Sequence, residues 1–418
     1  MLFDDDESED ESESGEDLFG GDFAAPGSHA LSFYQDDSDA HELCESRANL
    51  HLIGHKELEQ QLLQMIEIGR LPHGLIFSGP TGVGKSVMAY RLARFLLAGL
   101  GDASSAEPNM FGDLLPAAPR PKTLEIAQSH AVFAQVASGG HPDLLTIARL
   151  KDEATGGLKA SLQVDEIRKI APFFRRTAAN EGGWRIVIID DADTMTRSSQ
   201  NSLLKILEEP PEKSLIILIT HRAGALLPTI YSRVHHMVFS PLGDDDIKSA
   251  LRHKINSTLL PNILNIAEGS LGRALQFADA EKIEILQTIL NIFALFPRWK
   301  WSDILNMAEL WGSKSHHESL QLFKDIILYF VRAASRHSAL KKPEDPAVFN
   351  HSGQIAQTAH QNDSDFTWRL AQSLPLDQLL NLYDELQDHF LRCQVGNLDK
   401  KFIILGAFTL FEKFSPKI

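Results

Sequence analysis

The octapeptide Gly79-Pro80-Thr81-Gly82-Val83-Gly84-Lys85-Ser86 constrains this chain more than any other segment. It fits G-x-x-x-x-G-K-[ST] at every fixed position. The apolar run Leu75-Ile76-Phe77 precedes it, and a helical pattern from Val87 to Leu97 follows. Strand, glycine-rich turn and helix in that order predict a phosphate-binding loop. Glycines let the backbone wrap closely, so that consecutive N–H groups face phosphate oxygens. The next helix presents its positive end to the same anion. Lys85 adds a point charge at the β- and γ-phosphates, and the Ser86 hydroxyl is placed to ligate Mg²⁺. The loop names a nucleotide site and is silent about the reaction.

Two further apolar runs, Ile186-Val187-Ile188-Ile189 and Leu215-Ile216-Ile217-Leu218-Ile219, suit strands buried on both faces of a parallel sheet. Helical stretches between them, and a helix from Glu57 to Ile68 with Leu62, Leu63 and Ile66 on one face, predict βαβ crossovers and a doubly wound α/β domain. Asp190 follows Ile186–Ile189, where an acidic residue holds the magnesium through its water shell. Ser86 and Asp190 are thus the expected Mg²⁺ residues. Asp191 and Asp193 come next, and for Asp193 an acidic N-cap opening the following helix is the competing reading.

At 418 residues the chain has room for two to four domains and at least one sizeable core. Two cysteines exclude a four-cysteine zinc site and make a disulfide scaffold an unsuitable reading. The start lacks the basic and apolar regions of a secretion signal. The apolar run Phe402 to Phe411 is too short for a spanning helix, which needs about 20 residues. A cytoplasmic protein without membrane contact is expected. The net charge of −16 is local: 14 of the 56 acidic residues and no lysine or arginine fall in residues 1–40, leaving the body almost neutral. Residues 1–45 read as a disordered acidic tail, since so polar a segment cannot offset its ordering entropy. Residues 101–122, rich in Gly, Pro, Ala and Ser, read as an inserted loop. After residue 241 β-type runs stop and helical periodicity takes over, with Leu379, Tyr383, Leu386 and Phe390 on one helical face.

The order IIDDAD, then NSLLKILEEPP (Asn201 to Pro211), LIT (Leu218 to Thr220) and LPTIYSR (Leu227 to Arg233) resembles the bacterial clamp-loader AAA+ subunits of DNA polymerase III. LPHGLIFSGPTGVGKS (Leu71 to Ser86) and HPDLL (His141 to Leu145) strengthen the likeness, which covers about residues 50–285. The resemblance implies an α/β P-loop AAA+ domain over 46–242, a small helical lid over 243–285 and an all-α collar-type oligomerisation domain over 286–418. It implies ATP and Mg²⁺ as cofactors, held by Gly79, Pro80, Thr81, Gly82, Val83, Gly84, Lys85, Ser86 and Asp190. Thr220 matches the sensor 1 position, whose hydroxyl reads the γ-phosphate. Arg233 matches the arginine that reaches into a neighbouring subunit's ATP site, although Val234 replaces the usual cysteine after it. Implied partners are the delta and tau/gamma subunits of a hetero-pentamer, the sliding clamp, and primer-template DNA through the complex.

Three departures matter. Asp191 stands where a glutamate usually polarises the attacking water, one methylene short, so weak or absent hydrolysis is expected. The zinc module many relatives carry is missing from 98–140. In GSLGRAL (Gly269 to Leu275), Gly272 aligns with the sensor 2 arginine, and Arg273, one position late, is rotated by about 100°. An autonomous AAA+ ATPase or helicase acting on nucleic acid is the alternative, but it normally needs both of the altered positions. A small-molecule kinase finds no acceptor lid in 201–240.

Overall fold

The computed structural model describes residues 46–102, 121–150, 159–179, 183–252, 255, 259–277, 279–312, 317–340, 348–349, 355–356, 366–395 and 399–415. The expected acidic tail and most of the 101–122 insertion lie outside them.

Helix α1 (Lys56–Glu67) leads to β1 (Gly74–Ser78), and the glycine-rich loop joins β1 to α2 (Lys85–Leu97). Next come α3 (Ala131–Ala137), β2 (Leu144–Ile147), the short helices α4 (Val164–Arg168) and α5 (Ile170–Phe174), and β3 (Arg185–Ile189). Then follow α6 (Arg197–Glu208), β4 (Ser214–Thr220), α7 (Pro228–Tyr231) and β5 (His235–Val238). The five strands pair in parallel, in the order β2-β3-β4-β1-β5. Phe77, Ile186, Ile188, Leu215, Ile217 and Ile219 enter one apolar core with Met88, Leu92 and Phe95 of α2. Ile76, Val187, Ile189, Ile216 and Leu218 enter the other, with Leu203 and Leu207 of α6. Alternate side chains go to opposite faces and both faces are covered, so the three central strands read as unbroken apolar runs. The edge strands β2 and β5 lack such runs: His235, His236 and Val238 are not buried, and only Met237 of β5 is.

The C-terminal part is helical. It comprises α8 (Asp244–Leu251), α9 (Leu260–Ala267), α10 (Leu271–Gln276), α11 (Ala280–Phe293), α12 (Trp301–Gly312) and α13 (His317–Ala339). After two short antiparallel strands, β6 (Val348–Phe349) and β7 (Ile355–Ala356), it ends in α14 (Phe366–Ser373), α15 (Leu376–Val395) and α16 (Lys400–Phe414). The two short strands depart from the all-helical expectation. They make only a two-residue ladder, too short to show as an apolar alternation. One apolar core runs from Leu242 to Phe411, and Phe293 sits at its centre against Phe330, Phe366, Phe408 and Phe411. Residue 285 falls inside α11, with Ile285 and Leu286 both packed in this core. On α15, Leu379, Leu386 and Phe390 are buried as the periodicity predicts, and Tyr383 packs beside them.

Buried charges hold the segment before α1 onto the glycine-loop helix. Arg91 Nε donates to Glu59 Oε1 at 2.9 Å, and the same oxygen accepts from the Leu124 amide. Arg91 also donates to the Leu50 carbonyl, and Arg94 to the carbonyls of Arg47 and Asn49. Glu59→Ala removes one of two carboxylates paired with the buried Arg91 guanidinium, Glu125 remaining at 3.3 Å, and is expected to cost about 1–3 kcal/mol. A lower urea midpoint checks this, and Glu59→Gln, which keeps the acceptor oxygen, is expected to lose less.

Candidate functional site

The parallel register places three chain segments at one edge of the sheet. Ser78 of β1 lies opposite Thr220 of β4, and Ile189 of β3 opposite Leu218. The glycine loop, the Asp190–Asp193 turn and the turn after Thr220 therefore leave the sheet side by side, at the strand ends where open α/β sheets bind ligands.

Gly79, Gly82 and Gly84 hold positive φ values of 148°, 76° and 106°, and Gly84 caps α2. Such alternation of backbone hand makes an anion-binding concavity. Lys85 lies at the first turn of α2 and is buried. Its ammonium donates to the carbonyls of Gly79 (2.8 Å) and Pro80 (2.5 Å) and to His221 Nδ1 (3.0 Å). Burial pulls its pKa down to about 8, against the opposing pull of Asp190, Asp193 and Asp191. Loop amides, an ammonium, the Ser86 hydroxyl and the Asp190 carboxylate form a donor set that fits a polyphosphate with Mg²⁺. That ion keeps several waters and takes few protein oxygens. Burial raises the pKa of Asp190, with Asp191 adding to the effect.

Asp191 is not a free carboxylate. It sits in the left-handed region at φ 51°. Arg149 donates to its Oδ2 through Nε (2.9 Å) and Nη2 (2.7 Å), and His221 Nε2 lies 3.0 Å from its Oδ1. The His221 hydrogen bond first, and Arg149 with it, hold the Asp191 pKa down to about 2 against the effect of burial. The partners fix the His221 tautomer. An ammonium only donates and a carboxylate only accepts, so Nδ1 is bare and Nε2 carries the proton.

Thr220 is fully buried, and its hydroxyl donates to Asp193 Oδ1 at 3.3 Å and accepts from the Arg222 amide. Asp193 also accepts from the His221 amide and from Arg222 Nε. Its carboxylate is thus a clamp on the 220–222 turn. The reading of Asp193 as a helix cap is corrected: Thr196 caps α6, accepting from the Ser199 amide at 3.1 Å. Arg233 follows α7. Its guanidinium pairs with Glu208 at 2.9 Å and donates to the Thr229 carbonyl and Ser232 hydroxyl, none of them in the glycine loop.

Helix α10 rests on the glycine loop itself. The Gly272 amide donates to the Gly82 carbonyl at 2.8 Å. A Cβ on Gly82 would lie 2.4 Å from Ser270 Oγ and 3.0 Å from the Gly272 Cα, and one on Gly272 would lie 2.9 Å from the Gly82 Cα. Two backbones thus meet where either side chain would separate them. Arg273 turns away and pairs with Glu268 at 3.1 Å, which also takes Arg332 and Arg336 of α13 at 3.0 and 2.7 Å.

The structure thus brings together Lys85, Asp190, Asp191 and the 220–222 turn, and leaves Arg233 apart from them. Arg149 and His221 escaped sequence reasoning because no motif names them. The available signal was position: each lies within two residues past the carboxyl end of a parallel strand.

Gly82→Ala should therefore lift α10 off the loop, by close contact and by placing a side chain at positive φ. A loss of about 1–3 kcal/mol is expected. Faster amide hydrogen exchange across 270–276 is the measurement.

A family profile described as DNA polymerase III, delta subunit, matches residues 120–243. The delta' subunit of DNA polymerase III from Bacillus subtilis is 27% identical over 292 residues, covering 65% of this chain and 78% of that protein. Its counterpart from Escherichia coli is 26% identical over 249 residues, covering 59% and 66%. The gamma/tau subunit from Mycobacterium bovis is 28% identical over 200 residues, 48% of this chain, and the chain spans only 30% of that protein's length. The family match over residues 120–243 and these similarities support a clamp-loader subunit of the delta-prime type.

Proposed function

We propose that the chain binds ATP with Mg²⁺, hydrolyses it weakly or not at all, and works as the delta-prime-type member of a clamp-loading assembly. Its partners in this reading are delta and tau/gamma subunits in a hetero-pentamer, which together place a sliding clamp on primer-template DNA during replication. The observation that carries it is the contrast within one site. The phosphate loop is intact around Lys85, while Asp191, at the position that would polarise water, is committed to Arg149 and His221. A carboxylate that accepts three charge-assisted or polar hydrogen bonds is a poor base, because its lone pairs are occupied and its pKa is far below the working pH.

Bound ATP and Mg²⁺ would supply charge and a conformational signal; the chain's own residues do the rest. Lys85 and the loop amides would orient the phosphates, Ser86 and Asp190 would hold the ion's water shell, and Thr220, through Asp193, would set the 220–222 turn beside them. Arg233 serves a neighbour in this scheme, as a guanidinium presented at the subunit surface and parked on Glu208 until the neighbour's γ-phosphate replaces it. An autonomous motor is not favoured: Gly272 supplies no sensor cation, and Arg273 is engaged by Glu268.

Two measurements test this reading. Lys85→Ala is expected to weaken equilibrium binding of a fluorescent ATP analogue; equal affinity would make the loop vestigial. Arg233→Ala is expected to leave that binding intact and to slow the DNA- and clamp-stimulated ATPase of the assembled complex. The slowing should be less than the roughly 10³–10⁵ that one trans-acting arginine supplies at its own site, because other sites keep theirs. Arg233→Lys should rescue poorly, since an ammonium lacks the planar fork. An assembled mutant complex with the wild-type rate would remove the role given to Arg233.

A further inference from the structure

An ammonium has three protons to donate. In this chain Lys85 has three acceptors for them: the Gly79 carbonyl, the Pro80 carbonyl and His221 Nδ1. A phosphate oxygen can engage Lys85 only by displacing one of them. The two carbonyls belong to the loop that must itself wrap the phosphate, so they cannot leave without undoing the cradle. His221 is a side chain on a separate turn and can leave.

Its position says which phosphate it opposes. Among the described residues the ring nitrogens meet Lys85 Nζ at 3.0 Å, Thr81 Oγ1 at 3.3 Å and Asp191 Oδ1 at 3.0 Å. Lys85 marks the junction of β- and γ-phosphates, and Asp191 marks the place beyond the γ-phosphate where an attacking water would stand. A group bridging the two lies on the terminal-phosphate side of the lysine. The ring is also held there. Its amide donates to Asp193, its Nε2 proton goes to Asp191, and Asp191 is fixed from behind by two donors of the Arg149 guanidinium. Both guanidinium donors converge on Oδ2, which leaves Oδ1 to the imidazole.

We propose that His221 is a gate on the terminal-phosphate position, latched by Asp191 and Arg149, so that the site takes a nucleoside diphosphate more readily than a triphosphate. This deepens the nucleotide-binding reading above and rests on it. A β-phosphate needs only the Lys85 contact of the imidazole to give way, whereas a γ-phosphate also needs the space the ring fills between Lys85 and Asp191, so the Nε2–Asp191 bond must break as well. Arg149 is a positioning residue here, acting through Asp191.

Equilibrium titration of the full chain with fluorescent ATP and ADP analogues tests the gate. His221→Ala should tighten triphosphate binding by roughly tenfold, the worth of one hydrogen bond to a charged group. It should tighten diphosphate binding less, so that the ratio of the two affinities moves. His221→Gln, which offers both an acceptor and a donor, should restore part of the wild-type ratio. Arg149→Ala should shift the ratio in the same direction as His221→Ala. ¹⁵N spectra of the imidazole provide a readout independent of any variant: a bare Nδ1 and protonated Nε2 in the nucleotide-free chain, changed by the triphosphate analogue and less so by the diphosphate. An unchanged affinity ratio in His221→Ala and His221→Gln, or an Nδ1–H tautomer in the free chain, would overturn the gate. The Lys85→Ala arm separates the two failures. If it binds as wild type, the nucleotide reading falls and the gate with it. If it binds weakly while His221→Ala leaves the ratio unmoved, the gate alone falls.

Discussion

The parallel pairing of β1 with β4, Ser78 opposite Thr220, is the constraint on which the site depends. Backbone hydrogen bonds set that register, and the apolar residues on both faces of both strands keep it, because a slip of one residue would send every one of them to the wrong core. With the register fixed, the glycine loop and the turn after Thr220 must emerge at the same height. Lys85 and His221, 136 positions apart in sequence, then meet at 3.0 Å. The β3–β4 pairing does the same for Asp190 and Asp191. No special contact is needed to assemble the cluster; the sheet delivers it.

The chemistry of the cluster is decided by what each polar group already has as partner. Lys85 is satisfied by loop carbonyls and an imidazole, Asp191 by a guanidinium and the same imidazole, Thr220 by Asp193. Buried polar groups without such partners would each cost about 1–3 kcal/mol. The same satisfaction that makes the site stable without a ligand makes a ligand compete for its groups.

The central sheet and the phosphate loop were legible in the sequence, and for one reason: both depend on local pattern. Ile186–Ile189 and Leu215–Ile219 announce strands buried on two faces, and the Gly79–Ser86 spacing announces the loop. The edge strands were not legible. β2 places a threonine beside the Tyr90 hydroxyl, and β5 is half histidine, so neither shows an apolar run. The residues that set the state of the site were illegible for a different reason. Arg149 and His221 matter only through partners distant in sequence, as does the pairing of Arg273 with Glu268. The sequence puts Arg273 one position late on its helix and leaves its role open, and nothing local names the carboxylate that receives it.

That carboxylate has a mechanical side. Glu268 stands at the end of α9, one residue before the turn that carries Ser270 and Gly272 to the glycine loop, and it is gripped by Arg332 and Arg336 of α13. A single apolar core takes in residues from Leu242 to Phe411, so the helices from α8 to α16 share their packing. This packed unit meets the glycine loop at the Gly272–Gly82 backbone hydrogen bond and the segment before α1 through Ile53. A strain applied to the far helices therefore has a packed route toward the glycine loop. One end of that route is the Gly272 amide, seated on the turn that would wrap a phosphate.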